Sequence, residues 1–148
     1  MKEKIRPRYN ISIIPYFMIG EIPVFLMLKA KKDYWQFPQG GVDFGETSFD
    51  AGRREFLEET GLEFVQTYPD IVYMVFYDAK RNGNSRRVNR ISTLVKINPL
   101  EELKISEEHD GCCIVSASEA FRRFGYPEQA EEFRNILRIG KDVLNYRK

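Results

Sequence analysis

The sequence predicts an α+β domain: a mixed, mostly antiparallel sheet with helices packed on it. Three features predict this. Segments rich in β-branched and aromatic residues outnumber helical ones, several lie close enough to pair as hairpins, and the interval 48–60 carries a helix start signal and a helix stop signal. A length of 148 residues suits one domain spanning 1–148, long enough to bury a core.

The elements follow in order. "YNISIIPYFM" (9–18) reads as a strand, with Pro15 suggesting an edge or a bulge. A short "IGEI" turn leads to its hairpin partner "PVFLMLKA" (23–30). "YWQFPQGG" (34–41) is a short extended piece ending in a loop, where Pro38 pushes Phe37 towards extended geometry and Gly40-Gly41 permits a tight backbone path. A helix is expected over about 48–60, with Thr47 as N-cap, Asp50 three residues on in the manner of a capping box, and Gly61 as terminator. "YMVFYD" (73–78) and "RISTLVKI" (90–97) look like strands separated by a basic loop, "AKRNGNSRR" (79–87). "CCIVS" (112–116) is a further strand. "SASEAFRRFG" (116–125) is a helix with a Ser cap and a closing Gly. A last helix, 127–146, opens on Pro127 and carries Phe133, Ile136, Leu137, Val143 and Leu144 at helical spacing.

Apolar residues make up 43% and charged residues 30%, with a net charge of +1, so bulk charge does not call for a polyanionic partner. No segment has the roughly 18 apolar residues that span a bilayer, and the charged N-terminus lacks a small-residue cleavage site. No membrane association is expected, and a cytoplasmic location is the default. The neighbours Cys112 and Cys113 read as small buried strand residues rather than a disulfide or a metal site, since His109 is the sole histidine.

The helix over 48–60 poses the sharper question. Glu55, Glu58 and Glu59 stand at i, i+3 and i+4, so a rotation of about 100° per residue puts them on one face. Like charges at these spacings destabilise a helix by a few tenths of a kcal/mol per pair. Phe49 and Phe56 lie on another face with Gly52 between them. Gly52 costs about 1 kcal/mol against Ala in a helix, and close packing on the sheet accounts for it, leaving the acidic face to look outward. A solvated surface would tolerate three glutamates, but clustered carboxylate oxygens also suit Mg²⁺ or Mn²⁺.

The wider spacing decides between these. From Gly40 the chain runs through five residues to Glu46, then seven to Arg54-Glu55-Phe56-Leu57-Glu58-Glu59-Thr60-Gly61-Leu62. This resembles the Nudix hydrolase box, G-x5-E-x7-R-E-U-x-E-E-x-G-U with U apolar, and every specified position is filled. The element order on both sides is similar to the family's α/β/α sandwich with its loop-helix-loop.

The resemblance implies Mg²⁺- or Mn²⁺-dependent hydrolysis of a phosphoanhydride bond in a nucleoside diphosphate linked to another moiety. It implies Glu55, Glu58 and Glu59 as metal ligands with the backbone carbonyl of Gln39, Glu58 and Glu59 as catalytic groups, and Glu46 with Arg54 as the pair bracing the loop on the helix. A further carboxylate from outside the box is expected from Glu107 or Glu108, with Glu108 preferred as the catalytic one. His109 is a less favoured base. An intact set of glutamates argues against a non-catalytic Nudix-fold binding domain, and the Gly-rich loop argues against a purely structural Mg²⁺ module.

Substrate signals diverge. "WQFPQGG" looks like bacterial dinucleoside polyphosphate hydrolases and enzymes that remove pyrophosphate from RNA 5′ ends. "EAFRRFGYPEQAEEFRNI" is similar in layout to asymmetric diadenosine tetraphosphate hydrolases. "MKEKIRPRYNISI" and "SEEHDG" are similar to dihydroneopterin triphosphate pyrophosphohydrolases. Tyr73, Phe76, Tyr77 and Tyr126 are candidates for stacking on a base. Lys80, Arg81, Arg86 and Arg87 are candidates for gripping distal phosphates or RNA, or form a solvated loop. The expected partner is a small nucleotide, with diadenosine tetraphosphate foremost and dihydroneopterin triphosphate, a (d)NTP or an RNA 5′ end as alternatives, acted on by a monomer or homodimer.

Overall fold

A computed structural model describes residues 8–30, 34–98 and 109–144. Its elements are β1 (Arg8–Ile19), β2 (Ile22–Ala30), β3 (Trp35–Gln36), β4 (Gln39–Gly41), α1 (Ser48–Thr60), β5 (Phe64–Arg81), β6 (Asn84–Ile97), β7 (His109–Val115), α2 (Ala117–Arg123) and α3 (Pro127–Ile139). Among the described residues the strands form one sheet with the path β3-β2-β1-β6-β5, to which β4 adds against β1 and β7 against β2. β1 and β6 run parallel and the other pairs are antiparallel.

Strand periodicity sorts the core onto two faces. Ile11, Ile13, Leu26, Val95 and Ile97 pack with Ala51 and Phe56 of α1. Their alternates Ile14, Tyr16, Phe25, Met27 and Leu94 pack with Ala120 of α2 and with Phe133 and Ile136 of α3. Burying each large apolar side chain contributes about 1.5–3 kcal/mol, so the sheet is held from both sides as an α/β/α sandwich. α1 seats closely because Gly52 faces β1: a Cβ there would stand 2.6 Å from Ile13 Cδ1. The helix starts where Thr47 Oγ1 accepts the Asp50 N–H and stops at Gly61, whose φ of 75° lets its N–H reach the Leu57 carbonyl.

Three local expectations need correction. Pro15 marks neither an edge nor a bulge, because β1 lies inside the sheet. Ile13 donates its N–H to Pro38 O, Ser12 is the last residue opposite β4, and Tyr16 is the first opposite β2. The Pro15 nitrogen lies on the Ile13 side, so its missing N–H falls between two partners. The basic segment 79–87 is not a loop. β5 and β6 run on to a two-residue turn at Asn82-Gly83, whose φ values of 52° and 79° are those of a tight hairpin turn. The last helix ends at Ile139 rather than 146, where Gly140 donates its N–H to Ile136 O.

Gly52→Leu is expected to lower stability by roughly 1–3 kcal/mol, the range for overpacking a filled core. Urea unfolding should show a lower midpoint with an unchanged slope; a midpoint equal to wild type would mean that α1 does not press on β1 at this residue.

Candidate active site

The segment between β4 and α1 is tied down by a guanidinium. Arg54 donates from Nε to Glu46 Oε2 and from Nη2 to Glu46 Oε1, both at 2.9 Å, and from Nη2 to the Gly41 carbonyl at 3.2 Å. Glu46 Oε1 also accepts the Asp43 N–H at 2.9 Å. Two parallel bonds between a planar fork and a carboxylate fix orientation as well as distance. The bonds from Arg54, then that from the Asp43 N–H, hold the Glu46 carboxyl at a pKa of about 2, against an ordinary 4.5. Glu46 in turn raises the Arg54 pKa. The other face of Arg54 meets Glu55 Oε1 at 3.0 Å and Glu58 Oε2 at 3.6 Å.

The three glutamates do not share one outward face. The Glu58 side chain is 59% exposed and that of Glu55 19%, while Glu59 is 2% exposed. The i, i+3, i+4 arc is wide enough that Glu59 falls beside Ala51 and Phe56 on the buried side of α1. The Glu55 carboxyl lies against the backbone of Gly40, where a Cβ would come 2.7 Å from Oε1. A side chain at residue 40 would therefore displace the Glu55 carboxyl from this seat. The neighbouring Gln39 is fixed by pairing with Ser12 and by donating from Nε2 to Gln36 Oε1 at 3.1 Å.

These donors suit a hard divalent cation. They are carboxylate and carbonyl oxygens, and the cradle at Gly40 would be filled by any larger side chain. Among the described residues no three His, Cys, Asp or Glu are gathered into a ready cage. Glu107 and Glu108 lie outside the described residues. His109 begins β7.

Gln39 also lines a cavity of about 590 Å³, within the range of small-molecule sites. Tyr34 and Tyr126 form part of its wall, ring centroids 5.2 Å apart and edge to face, and Phe76 and Tyr77 of β5 also line it. Its lining includes Arg90, Gln129 and Glu132. Arg90 Nε stands 3.1 Å from Glu132 Oε1. Burial pushes the Glu132 carboxyl up, and nearby Arg90 pulls it partly back.

Of the predicted stacking residues, Phe76, Tyr77 and Tyr126 reach the cavity, while Tyr73 packs against the core under α3. Arg86 and Arg87 are exposed on β6 opposite Ala79 and Asp78, outside the cavity lining. Cys112 and Cys113 are free thiols, partly rather than fully buried, in β7. Sequence reasoning missed Arg90, Gln129 and Glu132. The signal for two of them was present: Gln129 and Glu132 fall four residues before Phe133 and Ile136, polar residues on a core-facing stripe.

The description "NUDIX domain" matches residues 7–136. An RNA pyrophosphohydrolase of Ruthia magnifica is 56% identical over 41 residues, 28% of this chain and 23% of that protein. One of Pelagibacter ubique is 31% identical over 75 residues, 51% of this chain and 48% of that protein. The chain thus spans less than half the length of these curated relatives. Among solved structures, a C. elegans Ap4A hydrolase binary complex superposes with a TM-score of 0.78 at 22% identity, covering 94% of this chain and 99% of that one. The E. coli dihydroneopterin triphosphate pyrophosphohydrolase gives 0.66 at 20% identity, covering 97% and 99%. At these identities the likeness is one of fold.

The Glu46 pKa gives a pH prediction with a definite sign. A folded value below the unfolded one means that the fork's contribution is fully present above the ordinary 4.5 and is lost as pH falls towards about 2. Urea unfolding of wild type and Glu46→Gln should therefore differ by a constant amount at neutral and mildly acidic pH, and the difference should shrink below 4.5. A difference that stays flat down to the folded value would remove Glu46 as the titrating partner.

Proposed function

The chain belongs to the Nudix hydrolase family, and from that premise we propose that it hydrolyses a phosphoanhydride bond in a nucleotide-linked compound, first among them a dinucleoside polyphosphate. The observation that carries this reading is the junction at Gly40. One residue seats the Glu55 carboxyl and its neighbour lines an aromatic-walled cavity. In this reading a site for phosphates and a site for a ring would adjoin across one peptide unit.

In this reading Glu55, Glu58 and Glu59 with the Gln39 carbonyl hold Mg²⁺ or Mn²⁺, which when bound neutralises phosphate oxygens and lowers the pKa of a water. Arg54 and Glu46 keep the loop and helix at one spacing. Tyr34, Tyr77 and Tyr126 offer faces on which a base can stack.

Exhaustive chelation should abolish turnover of diadenosine tetraphosphate, and Mg²⁺ or Mn²⁺ should restore it. Glu59→Gln should lower kcat by roughly a hundredfold or more, since several kcal/mol of transition-state stabilisation depend on such a group. Turnover that survives chelation, or a wild-type rate in the variant, would overturn the assignment.

The matched RNA pyrophosphohydrolases favour a second reading, an RNA 5′ end. Arg86 and Arg87 sit on the same hairpin as Tyr77. If RNA lies along it, Arg86→Ala with Arg87→Ala should flatten the slope of log affinity against log salt by about 1.4, at 0.7 per phosphate contact for a single strand. An unchanged slope would leave these arginines as a solvated hairpin arm.

A further inference from the structure

The floor of the cavity is built for a ligand that donates hydrogen bonds. Gln129 and Glu132 lie one turn apart on the same face of α3, 8% and 6% exposed, where a core helix would ordinarily place apolar side chains. Gln129 Oε1 makes no hydrogen bond within the described protein, and neither does Gln39 Oε1, whose amide is oriented by its bond to Gln36. Buried acceptors left unmade are costly and uncommon. A donor near them is Arg90, whose Nε stands 3.1 Å from Glu132 Oε1 as an ion pair but makes no hydrogen bond within the described protein.

Charge points the same way. Asp78, Glu128, Glu131 and Glu132 line the cavity with Arg90 as the single guanidinium among the described residues. A phosphate would meet net repulsion there. The phosphates of a nucleotide belong at the Glu55 end, and the ring belongs in the cavity beside Tyr34 and Tyr126.

We propose that Glu132 and Gln129 select the ring of the substrate by its donor edge, favouring the 2-amino-oxo edge shared by guanine and pterins over adenine. That edge presents a ring N–H beside an amino group. One of these reaches the Glu132 carboxylate and the other Gln129 Oε1, while Arg90 holds Glu132 in place. Adenine sets its amino group beside a ring acceptor, which would face a carboxylate with no proton between them. A site built around buried acceptors rejects a ring that leaves one of them unpaired.

The inference rests on the proposed phosphoanhydride hydrolysis only for its kinetic readout. With Mg²⁺, kcat/KM for diguanosine tetraphosphate should exceed that for diadenosine tetraphosphate by about tenfold or more. The diinosine compound, which lacks the 2-amino group, should fall between them. Glu132→Gln should collapse this ratio towards one. Gln129→Leu, which leaves the Arg90 pair intact, should reduce it by a smaller factor, so the test survives if the first variant does not fold. A change in ratio is not what a merely structural role would produce, since that would scale all substrates together. A wild-type enzyme that prefers adenine, or variants that lower every substrate equally, would overturn the proposal. If no phosphoanhydride is cleaved, the functional reading fails, and ligand-observed NMR with guanosine, inosine and adenosine on the wild-type protein decides ring selection separately. Guanosine binding no tighter than adenosine would end it.

Discussion

The fork between Arg54 and Glu46 is the constraint on which the site depends. Among the residues between β4 and α1, Val42 packs against the core while Phe44 is fully exposed. Hydrophobic packing anchors only the start of their path. A bidentate ion pair can set the rest, because its two bonds fix an angle as well as a length. The same guanidinium reaches back to the Gly41 carbonyl and forward to Glu55, so it couples the end of β4 to the first carboxylate of the helix. The Gly52 contact with β1 fixes the other side of α1. Between them the helix has little freedom to slide or roll.

That rigidity explains how three like charges persist at helical spacing. A helix free to rotate would turn all three into water. Held as it is, α1 presents them at graded depth, from exposed Glu58 to buried Glu59. Arg54 offsets part of the charge on Glu55 and Glu58 but is already shared among Glu46, Asp43 and the Gly41 carbonyl. The arrangement holds negative charge in excess of its local cations, which is the electrostatic condition for binding an external one.

Much of this was legible in the sequence. The two faces of the core follow from period-2 alternation in β1 and β6, and the limits of α1 follow from Thr47 and Gly61. The resemblance to the Nudix box implied the pairing of Glu46 with Arg54, and the structure joins them. The failures have particular causes. Asn82-Gly83 is a strong hairpin signal, but the run of charges around it read as a loop; charge reports exposure, and an edge hairpin is exposed without being irregular. Pro15 suggested an edge or a bulge because a proline lacks the N–H of a ladder bond, whereas β1 changes partner at that residue and the missing donor falls between two partners. The cavity was the least visible part. Its lining comes from β3, β4, β5, β6 and α3, and no local pattern shows that Arg90 and Glu132, 42 positions apart, will meet.

The two acidic regions of the site obey different chemistry, and the contrast gives the site its direction. Near Gly40 the carboxylates are oxygens around a place where phosphates can enter, and only a cation reconciles the two. The carboxylate and amide acceptors that share a cavity lining with Tyr34 and Tyr126 would, in the proposed reading, be satisfied by N–H donors from a ring and would repel phosphates. A molecule with a polyphosphate at one end and a donor-bearing ring at the other meets both conditions in one orientation and neither in the reverse. On the proposed reading, orientation would be set by charge at both ends, with Gln39 and Gly40 between the two subsites.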